Sequence, residues 1–550
     1  MIHINQIGYL PNETKVAILT EPSDVFELIY SDNHQVVFQG TPVAFSEAAT
    51  DAASGDSVWL ADFSELTTSG SYCIRTANEV SASFAIGEQI YKSLKNDLIK
   101  SYYYQRCGCA LLPQHAGRFS HGCCHTALAT LVGESHATLE LSGGWHDAGD
   151  YGRYTTAAAT ALAHLLYAFE LFPERFQEAL NIPESGNGVP DLLNECRYEL
   201  EWLLKMQLPD GSVFHKVSTW RHAAFVMPEE DTAPLYAYAV SSMAVGDFAA
   251  VCALAARIYA AYDTDFSMRL TAAAIQAYRF LQAHPDFIPF RNPEGSGTGE
   301  YGDRSDRDER FWAAAELFRL TGEQCYWEDF VQLYAEDFSK THLGYASTGG
   351  FGTLSLLTHP NFRFVSDCSL STHMTTEQQN IAAALFRSWC DEADNYVTFA
   401  RESGYQVAMT SKDFHWGSNM TVMNRGITLI VAYLLTKNPC YRTAACNQLH
   451  YLLGRNATGY SYVTGHGTKY IRHPHMRTIF ADGIDEPIPG FVSGGPNARP
   501  CDPAAPLIPA DTPPMKSFAD VYEAYSLNEV TIYWNSPAVF VAAFFDSAEA

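Results

Sequence analysis

The chain has 550 residues, 47% of them hydrophobic and 18% charged, and a formal net charge of −27. It can therefore bury a sizeable core and is long enough for two or more domains. The negative charge repels phosphate backbones and anionic lipid, and no basic cluster reverses it locally, which argues against nucleic acid and membrane surfaces as partners.

Residues 1 to 87 read as short strands, VAIL, VFELIY, HQVVFQG, VWLADF, GSYCIRT and SASFAIG, separated by Pro, Asn, Asp, Gly and Ser. This pattern predicts a β-sandwich of immunoglobulin size. The start, MIHINQIGYLPNETKVAIL, has no basic segment followed by an apolar one, so a cytoplasmic location is expected. From IYKSLKNDLIKSYYYQRCG onward the period is helical, and it is expected to stay helical over 88 to 550. TTAAATALAHLLYAFELF, PDLLNECRYELEWLLKMQ, VGDFAAVCALAARIYAAY, RFWAAAELFRLTG, QNIAAALFRSWCDEA and NRGITLIVAYLLT are its clearest helices. Long loops between them favour helical hairpins set in a ring, and are where functional sites are to be sought. No apolar run approaches the roughly 20 residues that span a bilayer. The thirteen cysteines are scattered and expected to be reduced, although Cys107, Cys109, Cys123 and Cys124 crowd together.

The segment SGGWHDAGDYGRY places Asp147 and Asp150 among glycines and aromatics just before a helix. One reading is that either aspartate caps that helix. The other is carbohydrate chemistry: the glycines admit a ligand close to the backbone, and Trp145, Tyr151 and Tyr154 offer flat faces to sugar rings. Glycoside hydrolysis needs an ionised carboxylate to activate water and a protonated carboxyl to serve the leaving group. A candidate for the second is Glu529 in YSLNEVTIYWNSPAVFVAAFF, before an apolar helix.

With LHYLLGRNATGYSYVTGHG, HPHMR, PGFVSGGPN and SLNEVTIYWNSP, the chain resembles glycoside hydrolase family 9 nearly end to end, its motifs falling in the family's order. NQIGYLPNETKVA resembles the immunoglobulin-like module of one branch. The resemblance implies an (α/α)6 barrel over 88–550 behind a β-sandwich over 1–87, and hydrolysis of β-1,4 bonds with inversion. It makes Asp150 the general base, Asp147 its partner in holding the water, and Glu529 the general acid. The family's P-H-H-R motif carries over to His475 and Arg477, with Met476 replacing the second His; Tyr525 is a further candidate for the cleft, with a core role as its alternative. The module is expected to support the barrel.

Cys107, Cys124, His125 and His146 suit tetrahedral zinc, though by spacing alone Cys109, Cys123 and His121 compete. The resemblance implies a structural zinc at the first four. In TGEYGDRSDRDERFW the carboxyls of Glu300, Asp303, Asp306, Asp308 and Glu309 suit calcium, unless Arg304, Arg307 and Arg310 neutralise them. No organic cofactor is expected. There is no G-x-S-x-G, G-x-x-x-x-G-K, C-x-x-C or H-E-x-x-H pattern, which removes the usual support for serine hydrolase, nucleotide-binding and metalloprotease readings.

The favoured expectation is an exo-acting glycosidase of exo-β-D-glucosaminidase type on short chitosan-type oligosaccharides. The alternative is an endo-β-1,4-glucanase on soluble β-glucan. A sugar-binding protein without catalysis comes third, because binding alone needs neither a matched acid nor a base.

Overall fold

The computed structural model describes residues 1–46, 50–134, 137–359 and 374–546. The chain divides into two compact units, Met1–Ser101 with Glu392–Ala550, and Tyr102–Asp391.

In the first unit the N-terminal strands form two sheets. One has the order Ile2–His3, Val16–Leu19, Trp59–Asp62, Val43–Ala44; the other runs Gly8–Tyr9, Phe84–Ile86, Gly70–Arg75, Phe26–Tyr30, Val36–Gly40. Apolar residues of both sheets meet in one core, where Tyr9 sits edge-on to Phe63 and Phe84. Polar side chains tie this module to the rest of its unit. Gln6 Oε1 accepts from the backbone N–H groups of Thr468 (2.9 Å) and Lys469 (2.7 Å), while its Nε2 donates to Gly459 O (2.9 Å). Asp51 and Asp56 accept from Gly404 N and Tyr405 Oη. The helices Ser418–Thr436, Pro439–Leu452 and Ile532–Phe545 are the long ones that lie wholly in this unit. Buried Asn535 accepts from Val492 N and donates to Leu98 O, Ser101 Oγ and Gly490 O, fixing the helix that follows Glu529.

The second unit holds the helices Thr155–Leu171, Asp191–Met206, Ser242–Tyr259, Thr264–Ala283 and Arg307–Thr321, then the shorter Gln324–Tyr334 and Gly349–Leu357 and most of the long Thr376–Glu402. Alanines and glycines let these helices approach closely: a Cβ on Gly246 would lie 2.6 Å from Glu309 Cβ. Ser242–Tyr259 is apolar enough to span a membrane by length and composition, but 94% of it is buried inside the protein.

The expectation that the chain stays helical after residue 87 is corrected here. A five-stranded sheet, ordered Thr138–Leu139, Ala129–Leu131, Leu235–Ala237, Lys216–Thr219, Arg153–Tyr154, lies within the second unit. Its strands are two to four residues long. Lys216–Thr219 is buried along its whole length, so its polar residues face inward and leave no alternation to read. This sheet positions the aspartate loop, because Arg153 and Tyr154 pair with Val217 and Lys216.

Candidate active site

The aspartate loop is pinned from several sides. Arg153 Nη1 donates to Leu141 O (2.5 Å) and Gly143 O (2.9 Å), Cys107 N donates to Gly144 O (2.7 Å), and His146 N donates to Gln105 O (2.7 Å). Gly144 has φ +75°, and a Cβ there would meet Trp202 at 2.8 Å, so this position needs glycine. Neither aspartate caps the following helix: its N-cap is Tyr154, with no side-chain hydrogen bond.

The two carboxyls have different surroundings. Asp147 is buried, and Tyr301 Oη donates to its Oδ2 at 2.6 Å. Burial first, then the neighbouring Asp150, push the Asp147 carboxyl well above the usual range, with Tyr301 opposing them. Asp150 Oδ2 accepts from Gly152 N (3.0 Å) and Tyr154 Oη (3.2 Å) and lies 3.2 Å from His222 Nδ1. An oxygen that collects donors in this way is suited to an ionised carboxylate. Burial and the two aspartates raise the Tyr154 hydroxyl well above its usual value, which keeps it a donor. Neither Tyr301 nor His222 was singled out from the sequence; Tyr301 lies among the acids of its loop, and nothing in the spacing ties it to Asp147.

Two expected sugar-binding aromatics are buried, Trp145 completely. Trp145 is 0% exposed, its indole N–H directed to Glu195 (3.4 Å) and its ring packed on Tyr102. Tyr151 is buried, donates to Val226 O (2.6 Å), and lies against the rings of His125 and His146. In both cases the ring completes the wall behind the loop.

The donor atoms of Cys107, Cys124, His125 and His146 all lie within 4.8 Å of one another in a buried cluster. Cys124 Sγ is 3.9 Å and His125 Nδ1 3.3 Å from His146 Nε2. Tetrahedral zinc with thiolate and imidazole ligands needs donor separations of about 3.3–3.8 Å, so the set fits. Burial would raise the Cys107 thiol, but Cys124, Arg153 and His146 together hold it well below its usual range. Asp231 Oδ2 lies 3.3 Å from the other nitrogen of His125, the arrangement that orients a metal-binding imidazole. The competing donors lie outside this cluster: Cys123 is exposed and donates to Gly108 O, and His121 bonds Gly122 O.

Asp303, Asp308 and Glu309 also bring their oxygens within 4.8 Å of one another. Asp306 does not join them, because its carboxylate pairs with Arg310 at 2.9 Å. Asp247 takes its place beside the cluster, a lone acid in an apolar helix that the sequence reading passed over. Both carboxylate oxygens of Asp247 and of Glu309 are buried without a hydrogen-bond partner, and burial together with the neighbouring acids raises both groups well above the usual range. Arg307 pairs with Glu336 and Arg310 with Asp306, so these two are engaged elsewhere, while Arg304 partly offsets Asp303. Uncompensated buried carboxyls of this kind suit a hard cation.

In the first unit, Glu529 follows the single turn Tyr525–Asn528 in extended conformation and is half-buried. Asn528 holds this turn, donating to His473 O (2.7 Å) and Asp520 Oδ1 (2.9 Å). His475 N donates to Asn528 O (2.9 Å), and the His475 ring, whose Nδ1 bonds Tyr522 O, packs edge-on to Tyr525. Tyr525 is half-buried and lies 5.4 Å from the ring of Trp416, which is 43% exposed and was not anticipated. Arg477 is buried at the start of the helix Arg477–Ala481, and Met476 lies in the core.

The family model for glycosyl hydrolase family 9 matches residues 91–542, and that for the cellulase N-terminal ig-like domain matches 1–81. The chain is 40% identical to a cellodextrinase of Butyrivibrio fibrisolvens, over 98% of this chain and 98% of that protein. Among solved structures, AaCel9A in complex with cellobiose-like isofagomine superposes with a TM-score of 0.91 at 34% identity, covering 99% of each chain. A Zn-binding triple mutant of the family 9 endoglucanase J30 gives 0.89 at 35%, covering 98% of this chain and 99% of that one.

The chain belongs to glycosyl hydrolase family 9. Its fold is that family's (α/α)6 barrel preceded by an immunoglobulin-like β-sandwich, and it is an inverting β-1,4 glycoside hydrolase acting on oligosaccharide. The expected exo-β-D-glucosaminidase is not supported: the relatives include a cellodextrinase, endoglucanases and a cellobiosidase, which favours the glucanase alternative.

Proposed function

We propose that this protein hydrolyses β-1,4 bonds of soluble glucan and cello-oligosaccharides, with Asp150 as general base, Asp147 as the second holder of the water, and Glu529 as general acid. The observation that carries this reading is the unequal pair on one loop: a buried Asp147 bonded by Tyr301, and an Asp150 whose Oδ2 collects donors from Gly152 and Tyr154. Asp150 can pull a proton from water that Asp147 helps to orient, and the acid must protonate the departing sugar oxygen. Inversion requires the two opposed carboxyls roughly 6.5–9.5 Å apart, with the water between base and sugar. The catalytically silent alternative is disfavoured because sugar binding needs none of this machinery.

Zinc held by Cys107, Cys124, His125 and His146 would be structural, tying the 107–125 segment to the loop through His146, the neighbour of Asp147. Calcium held by Asp303, Asp308 and Glu309, with Asp247 beside them, would neutralise that buried cluster.

Product analysis of defined glucose and glucosamine oligomers tests the reading. Cellotetraose should be cleaved, its new reducing end appearing first as the α-anomer by proton NMR. Cleavage of glucosamine oligomers alone, or initial β-anomer, would overturn it.

A further inference from the structure

The loop 292–301 touches both aspartates through two hydroxyls. Gly299 N donates to Tyr154 Oη (3.1 Å), leaving that hydroxyl's proton for Asp150 Oδ2 (3.2 Å), while Tyr301 Oη donates to Asp147 Oδ2 (2.6 Å). Tyr301 adopts φ +48°, a left-handed conformation that is costly for a side-chain-bearing residue and persists only when its surroundings enforce it. The enforcing groups are neighbours in sequence, Lys216 opening the buried strand Lys216–Thr219 and His215 directly before it. Lys216 Nζ donates to Asn292 Oδ1 (2.7 Å), Thr298 Oγ1 (2.9 Å) and Gly299 O (2.6 Å), which uses all three ammonium protons. His215 Nε2 bonds Glu300 O (2.8 Å), and its Nδ1 bonds Ser241 Oγ (2.8 Å).

We propose that Lys216 and His215 are positioning residues for hydrolysis: they grip the consecutive carbonyls of Gly299 and Glu300 and thereby place the Tyr154 and Tyr301 hydroxyls that orient Asp150 and Asp147. The inference rests on the reading of those aspartates as the water-holding pair. A carbonyl can only accept, so His215 carries its proton on Nε2, and Nδ1 accepts from the Ser241 hydroxyl, whose oxygen accepts from Ala244 N. Burial lowers His215 to about 3, which keeps the ring neutral and this tautomer in place. Lys216 also pairs in register with Tyr154 across the strands, so one strand holds the backbone beside the aspartate loop and, through its side chains, the loop opposite. Removing the ammonium would strand three acceptors in a dry site and let the 299–301 backbone relax.

The test is steady-state kinetics on cellotetraose with Lys216→Met, Asn292→Ala, Tyr301→Phe, Lys216→Met/Tyr301→Phe and Asp150→Asn. Assays are run at pH 6, because burial brings Lys216 down to about 7 against the opposing pull of Asp150 and Glu300. Lys216→Met should lower kcat about 10²-fold with KM within about threefold, the size expected when catalytic groups shift by about 1 Å. Because Lys216 acts partly through Tyr301, it should cost no more than about tenfold in the Tyr301→Phe enzyme. Asn292→Ala, at a half-buried position that leaves the core intact, should lower kcat about fivefold with an unchanged melting temperature. Wild-type kcat in Lys216→Met, or in Asn292→Ala should the first variant not fold, would overturn the proposal, as would effects of Lys216→Met and Tyr301→Phe that multiply fully. Turnover retained in Asp150→Asn would instead reject the underlying reading of the aspartates.

Discussion

Replacing Trp145 separates a wall residue from a sugar-binding one. Its ring is fully buried between Tyr102 and the helix bearing Glu195 and Glu199, and its backbone N–H is held by Glu199. Trp145→Ala removes an indole from a site that cannot collapse freely, a change worth about 3–5 kcal/mol in packed cores. Glu195 keeps its pair with Arg106 (2.8 Å), so no additional charge is orphaned and the cost should fall within that range. For a unit of this size, about 2 °C of melting temperature is lost per kcal/mol, giving a fall of about 6–10 °C. Differential scanning fluorimetry and initial rates on cellotetraose, measured below the new transition, should show that fall with KM within about twofold. The exposed Trp416 is the control, since Trp416→Ala should raise KM and leave the melting temperature in place. A tenfold rise in KM for Trp145→Ala at unchanged melting temperature would refute the burial argument.

Three further outcomes follow from the structure. Metal analysis of the purified protein should find one zinc per chain, and Cys124→Ser should abolish it and lower the melting temperature; a zinc-free protein of unchanged stability would exclude the site. Burial raises the Asp303 carboxyl to about 6, and calcium binds the ionised form, so calcium should raise the melting temperature at pH 7.5 and lose that effect as pH falls through 6; equal protection at pH 5 would contradict the cluster's role. Gln6→Ala leaves the N–H groups of Thr468 and Lys469 without their acceptor, so chemical denaturation should show a loss of about 2–3 kcal/mol with unaltered KM, and deletion of residues 1–87 should cause aggregation.

What could be read from the sequence follows physical lines. The N-terminal strands were legible because apolar residues cluster between turn formers, and helices such as Thr155–Leu171 because alanine and leucine recur over many turns. The internal sheet was not, since Lys216–Thr219 is too short and too evenly buried to show a period. Asp147 and Asp150 stand out locally among glycines and aromatics, whereas Glu529, a glutamate before an apolar helix, gains its role only from the resemblance of SLNEVTIYWNSP. Lys216, Tyr301 and His222 could not, because their contacts with the aspartate loop or its hydroxyls are made by folding. Trp145 illustrates the opposite case: an aromatic beside an aspartate in a glycine-rich segment looks like a sugar platform, yet its ring is fully buried. Asp306 and Asp247 exchange roles for a similar reason, as Arg310, one helical turn on, draws Asp306 away while Asp247 comes from another helix.

The division of labour between Asp150 and Glu529 is tested most directly by comparing two substrates in two variants. An aryl β-cellobioside with a highly acidic phenol needs little help from a general acid, whereas a cello-oligosaccharide needs it fully. Glu529→Gln should therefore lose about 10²–10⁴-fold in kcat on cellotetraose but retain most of its rate on the aryl glycoside, while Asp150→Asn should lose both. Equal losses on both substrates in Glu529→Gln, or an Asp150→Asn enzyme that still hydrolyses the aryl glycoside at the wild-type rate, would contradict the account.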